Sequence, residues 1–190
     1  MDDFRVVFGR KVYKPALRQM WEQCFLEDDD DFLDFYFGEM FRCRGTLVGL
    51  SGGIPVTSLQ MFPYRLHTQV GSFPVVYLCG VMTREEFRGR GYCGALLRRS
   101  IEVIRGRGFG YILLIPQDME LFDFYEKFGF IACDEGKSEA VLEVDSLSRR
   151  ILPDYLFNGI IFGWPGMIMR VGEGLPEVLS LHVIVSDGRR

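Results

Sequence analysis

The period of the apolar positions changes repeatedly along the chain, and each change marks an element. Phe4 to Phe8 is a short run of strand type. From Lys14 to Phe25, residues Leu17, Met20, Trp21, Cys24 and Phe25 recur at three- and four-residue spacing, which predicts a helix with Pro15 in its first turn. Phe32, Phe35, Tyr36, Met40 and Phe41 predict a second helix, whose N-terminus is favoured by the acidic run Glu27 to Asp31 just before it. Thr46 to Leu50 and Val56 to Met61 flank Ser51, Gly52 and Gly53, which predicts a β-hairpin, with Pro63 expected to end or bulge its second strand. Phe73 to Met82 is apolar on both faces, as in a central buried strand. Gly80 inside it signals a bulge or a close backbone approach.

Farther along, Leu96, Leu97, Ile101 and Ile104 form one apolar helical face, which Gly106 or Gly108 closes. Tyr111 to Pro116 reads as a buried strand and Met119 to Phe128 as a short helix. Gly129 to Cys133 and Ala140 to Val144 read as two more strands around an acidic turn. This succession gives a mixed-sheet α/β layer fold. Beyond residue 145 the composition turns apolar and glycine-rich, with strand-like runs at Gly166 to Val171 and Leu181 to Val185. Two parts follow, residues 1–145 as the main domain and 146–190 as a C-terminal extension that covers a sheet edge, walls an acceptor site or meets a second subunit.

Composition narrows the function. The 190 residues carry 22 Lys and Arg against 26 Asp and Glu, a net charge of -4, which disfavours a nucleic-acid surface and suits a basic partner. Seventeen phenylalanines promise an aromatic core or groove. Cys24, Cys43, Cys79, Cys93 and Cys133 are scattered, with no Cys-x-x-Cys pair, so neither a disulfide framework nor a metal site is expected and a reducing cytoplasm fits. The N-terminus lacks the pattern of a signal peptide. The apolar stretch from Leu156 to Met169 is too short and too interrupted for a membrane span.

The chemistry concentrates at Arg88, Gly89, Arg90, Gly91, Tyr92, Cys93 and Gly94, immediately before the helix of Leu96 to Ile104. Glycines permit a tight turn and close approach, amides at a helix N-terminus point at an anion, and arginines add charge, which together make a pyrophosphate cradle. Taken literally, Gly89, Gly91 and Gly94 spell a dinucleotide fingerprint, with Asp118 as its ribose-binding acid. In that fold the first glycine follows its strand almost at once, whereas Thr83 to Arg88 intervene here.

Val81 to Leu97 resembles the acetyl-coenzyme A motif of the GNAT N-acetyltransferases, in which Arg or Gln is followed by two intervening residues, Gly, one further residue, then Gly or Ala. Arg88 and Gly91 match, and Cys93 stands in the last small position. Leu121 to Phe130, with Phe124, Tyr125, Phe128, Gly129 and Phe130, is similar to the late helix of the same family. The resemblance covers roughly Phe4 to Val144. It implies a mixed, mostly antiparallel central sheet flanked by helices, with the cofactor between two splayed central strands. It implies acetyl-CoA as cosubstrate and no metal. The amides of Val81, Met82 and Thr83 would then pair with the pantetheine arm, and those of Arg88, Gly89, Arg90, Gly91, Tyr92, Cys93 and Gly94 would hold the pyrophosphate. Tyr125 would be the catalytic acid, since a phenol of pKa ~10 can protonate a departing thiolate.

Direct acyl transfer to a primary amine needs a base or water chain for the acceptor, and Glu39, His67 and Asp28 to Asp31 are candidates without a place. His67 reads first as an ordinary strand-end histidine, Cys79 and Cys93 as packing residues, and the acidic run as a capping, solvated linker. The expectation is therefore an N-acetyltransferase acting on a small-molecule or peptide amine, without nucleic acid or membrane and compatible with a homodimer. A non-catalytic acyl-CoA-binding or interaction protein is the alternative, and a nucleotide-dependent oxidoreductase stands behind both.

Overall fold

The computed structural model describes residues 3–133, 139–145, 148–151, 166–176, 178 and 180–186. The class is mixed α/β, with an open, mostly antiparallel sheet and helices. The chain divides into two compact units, residues 1–61 with 79–100 and residues 62–78 with 101–190. Among the described residues, no helix is long and apolar enough to cross a membrane.

The first unit opens with β1 (Arg5–Phe8), which pairs antiparallel with β2 (Thr46–Ser51). β2 in turn pairs antiparallel with the start of β3 (Ile54–Thr68) through the predicted hairpin. α1 (Lys14–Cys24) carries Pro15 in its first turn and buries Leu17, Met20 and Trp21, the face drawn by the apolar spacing. α2 (Asp30–Phe35) is shorter than the pattern suggests, because Tyr36–Met40 continues as one π-helical turn. That wider turn still buries Tyr36, Phe37 and Met40, so the aromatic run keeps its inward face while the hydrogen-bond period changes. Tilted and edge-on ring contacts tie Trp21 to Phe25, Phe32, Tyr36 and Phe37.

Pro63 does not end its strand. β3 runs to Thr68, and Pro63 sits exposed within it, where its missing N–H costs no buried partner. β4 (Gly71–Thr83) follows after a two-residue turn and, like β3, contributes to both units.

In the second unit the first half of β4 pairs in parallel with β5 (Tyr111–Leu114), from Val75↔Tyr111 to Leu78↔Leu114. β5 pairs antiparallel with β8 (Met167–Arg170), which also pairs antiparallel with β6 (Ile131–Ala132). β7 (Glu139–Asp145) lies antiparallel to the end of β3 and parallel to β9 (Ser180–Ser186). α3 (Tyr92–Gly106) begins in the first unit and ends in the second, and α4 (Glu120–Glu126) belongs to the second. The acidic turn after Cys133 and most of the apolar stretch from Leu156 lie outside the described residues.

Candidate functional site

The registered pairing of β4 with β5 stops at Leu78, while β4 continues to Thr83. At the start of that free length Gly80 has φ +54, a left-handed conformation that side chains rarely adopt. A Cβ there would stand 2.5 Å from Cζ3 and 2.7 Å from Cη2 of Trp21, so the indole occupies the place a side chain would take. The glycine that looked out of place in an apolar strand is thus required twice, by backbone and by contact.

Val81, Met82 and Thr83 follow, with Met82 buried and the other two half-buried. The Thr57 hydroxyl donates to the Met82 carbonyl at 2.8 Å, and the Thr57 and Thr83 hydroxyls lie 2.8 Å apart. The Arg84 amide donates to the Val56 carbonyl at 2.9 Å and its Nε to the Pro55 carbonyl at 2.9 Å, which fixes the exit of the strand.

A single 3-10 turn, Glu85–Phe87, then leads into the glycine run. Gly89 and Gly91 have φ +74 and +79, and a Cβ on either would meet nothing within 4 Å. Both positions are therefore glycine for their backbone conformation, and the space in front of them is open. Arg88, Gly89, Arg90 and Gly91 are all exposed. Arg88 is held by its Nε on the Thr83 carbonyl at 3.2 Å, and Arg90 by Nη2 on the Glu86 carbonyl at 3.0 Å, with its guanidinium 5.1 Å from the Phe87 ring centre. Bonding to carbonyls leaves the charge of both side chains uncancelled by those partners.

α3 starts directly behind the turn. The Ala95 amide closes its first bond on the Gly91 carbonyl at 3.0 Å, which leaves earlier amides at the N-terminus facing the turn. Tyr92 anchors this end: its buried ring stacks on Phe4 at 4.4 Å and 4° and lies 6.3 Å from Phe87. Gly94 is buried in the first turn of the helix. Burial pushes the Cys93 thiol up to about 11, against a lowering hydrogen bond from Thr83. With its thiol held protonated by burial, the residue acts as a small packing group. Cys79 is raised to about 12, first by burial and then by the Asp28 charge. Neither thiol is poised as a nucleophile.

The structure brings Val81 to Gly94 together in the first unit. Tyr125 belongs to the second unit, where it is buried on α4 with ring centres 5.3 Å from Phe124 and 5.8 Å from Phe130. Asp118 accepts from the Leu121 amide at 3.0 Å and so serves the start of α4 rather than a ribose. β5 is flanked by antiparallel β8, which departs from the parallel sheet a dinucleotide fold needs. His67 bridges Glu143, at 2.7 Å from Nε2, and Ser72, at 2.6 Å from Nδ1, and behaves as the strand-end histidine expected. Glu39 is exposed.

Two groups beside the site were not connected by sequence, although Asp28 stood among the base candidates without a place. Trp21 read only as a core aromatic, yet it shapes Gly80. Asp28 read as part of a charge run, yet its carboxylate accepts from Trp21 Nε1–H at 2.7 Å. The sole sequence signal for that pair was their common position on either side of a helix end.

A family model described as an acetyltransferase (GNAT) domain matches residues 10–133. A GCN5-related N-acetyltransferase from Kribbella flavida superposes with a TM-score of 0.60 at 21% identity, covering 69% of this chain and 33% of that one. A second, from Anabaena variabilis, gives 0.60 at 20% identity over 68% and 32% of the two chains. N-acetylglutamate synthase from Neisseria gonorrhoeae, solved with coenzyme A and L-arginine, gives 0.61 at 11% identity over 88% and 33%. The chain spans about a third of the length of each of these proteins. No curated protein matches it in sequence.

Proposed function

This chain belongs to the GNAT acetyltransferase family, and we propose that it transfers an acetyl or other acyl group from acyl-CoA, acetyl-CoA in the first place, to a primary amine by direct attack. The observation that carries this reading is the open turn from Arg88 to Gly91, with two left-handed glycines and two arginines at the N-terminus of α3. Phosphate oxygens fit such a turn: the amides supply donors, the missing Cβ atoms supply room, and the arginines supply charge. Gly94 is buried and Cys93 half-buried in the first turn of α3, which supports a cysteine in the last small position.

Each residue then has a task. Val81, Met82 and Thr83 offer strand backbone to the pantetheine amides, in the manner of an added strand. The amide after Gly80 is suited to polarise the thioester carbonyl as negative charge develops on its oxygen. Arg88, Gly89, Arg90, Gly91, Tyr92, Cys93 and Gly94 hold the pyrophosphate through backbone amides and the two guanidinium groups. The Tyr125 hydroxyl donates a proton to the sulfur as the C–S bond breaks.

Thiol release from acetyl-CoA, followed over a panel of alkylamines, peptides and aminoglycosides, tests the reading. Amine-dependent release supports it. Saturable CoA binding without release on any amine supports the acyl-CoA-binding alternative, and absence of CoA binding refutes both.

A further inference from the structure

The carboxylates around the start of α2 are not equivalent. Asp29 caps the helix, accepting from the Phe32 amide at 2.8 Å. Asp30 and Asp34 pair with Arg18 at 3.0 and 2.5 Å. Asp28 has neither task. One of its oxygens takes the Trp21 indole N–H, and among the described residues no Lys, Arg or His lies within ion-pair distance of it. It is half-buried. The ionisable groups that face it are Glu27 and Asp29 on its own loop and Cys79 on β4, and Trp21 on α1 is neutral. Burial, and then the charges of Glu27 and Asp29, raise its pKa above the ordinary carboxylate value, against the lowering effect of the indole hydrogen bond. A carboxylate taken partly out of water among acids, with no cation, is an expensive arrangement. A cation arriving with a ligand would relieve it.

Its position is set by the same ring that shapes the strand. The indole Nε1 holds Asp28, and the opposite edge of the ring presses on Gly80, the residue before Val81. One rigid side chain thus fixes the carboxylate relative to the backbone where the thioester carbonyl would lie. Phe25, Phe32 and Tyr36 surround that indole at centre distances of 5.2, 6.0 and 4.7 Å, which holds the ring, and with it the carboxylate, in place.

We propose that Asp28 is the carboxylate that receives the ammonium group of the acceptor and takes its proton, so that the substrates are cationic primary alkylamines. This rests on the acyl-transfer reading above. An alkylammonium of pKa ~10.4 has no lone pair at neutral pH. One N–H bond breaks as its proton moves to Asp28, and the freed lone pair forms the C–N bond at the thioester carbon while the C–S bond breaks. The departing sulfur gains the proton that the new amide nitrogen loses, and Asp28 releases its own to solvent. The sum is ammonium plus acyl-CoA giving amide, CoA thiol and one proton. A raised carboxylate suits the task, because a stronger base drives the first transfer further.

The probe is hexylammonium, with hexanol as its neutral counterpart, titrated into CoA-loaded protein while the Trp21 indole N–H resonance, assigned with Trp21→Phe, is followed. The wild type should give a saturable shift with hexylammonium and none with hexanol, and Asp28→Asn should weaken the response at least ~10-fold. At pH 7, Asp28→Asn should lower kcat/KM for hexylamine by ~100-fold or more. For methoxyamine, which is uncharged at that pH, the loss should stay below ~10-fold. No shift in the wild type, an equal shift with hexanol, an unchanged response in Asp28→Asn, or equal losses for the two amines would overturn the assignment. CoA titration calorimetry on the same samples separates the two levels. Intact CoA binding without an ammonium response removes the role of Asp28 alone, and loss of CoA binding in the wild type removes the acyl-transfer reading.

Discussion

Gly80→Ala tests whether the close contact between α1 and β4 is what positions the site. Placing alanine at φ +54 costs ~1–2 kcal/mol in backbone strain. Its Cβ would also lie 2.5 Å from Trp21 Cζ3, inside any tolerable contact, and a flat ring hemmed in by Phe25, Phe32, Tyr36 and Phe37 cannot swing away. Overpacking of this kind adds ~1–3 kcal/mol. The total of ~2–5 kcal/mol corresponds to a fall in Tm of roughly 4–20 °C for a chain of this size. Gly52→Ala is the matched control, since Gly52 has φ +56 with nothing within 4 Å, and it should lose only the backbone part, ~1–2 kcal/mol. In a Trp21→Phe background the atoms Cζ3 and Cη2 are gone, and Gly80→Ala should cost ~1–3 kcal/mol less than in the wild type. Urea denaturation of the four variants measures these differences. Equal costs for Gly80→Ala and Gly52→Ala, or no coupling to Trp21, would refute the contact as the reason for the glycine.

Tyr125→Phe should lower kcat by ~10²–10⁴-fold with CoA affinity nearly unchanged, read by thiol release and calorimetry, and unaltered turnover would remove the phenol as the acid. Arg88→Ala should weaken CoA binding by roughly 10-fold, about 1.4 kcal/mol, with a smaller effect on pantetheine, which lacks the pyrophosphate. Asp28→Asn should raise Tm at pH 7. The pKa of Asp28 is raised by burial, so the native state holds its proton more tightly than the unfolded chain, and the wild type loses stability as pH rises from the ordinary carboxylate value through the raised one. The asparagine keeps an oxygen for the Trp21 N–H without the charge, so the gain in Tm should shrink as pH is lowered below the ordinary carboxylate range.

Most elements were legible because their apolar periods are strong. Leu17, Met20 and Trp21 fall at helical spacing and are buried on α1, and Val75 to Leu78 form a run of four buried residues within β4. The errors came where a local signal is decided by tertiary context. Pro63 is a strand breaker only if its N–H side must pair, and here it is exposed within β3. The helix expected through Phe41 passes into a π turn at Tyr36, because the aromatic side chains choose their burial over a uniform hydrogen-bond period. The glycine turn could be read from composition alone, since Gly89 and Gly91 serve local backbone needs. Trp21, Gly80 and Asp28 could not be joined that way. Their relation is a contact across sequence distance, and Asp28 looks the same in the sequence as Asp29 and Asp30, which have ordinary capping and ion-pair tasks.

Calorimetric titration of the protein with coenzyme A and with NAD bears most directly on the central claim that the Arg88 to Gly94 turn holds the pyrophosphate of an acyl carrier. Saturable binding of CoA, weakened by Arg88→Ala, with no heat from NAD is the expected result. Tight NAD binding with no response to CoA would contradict it.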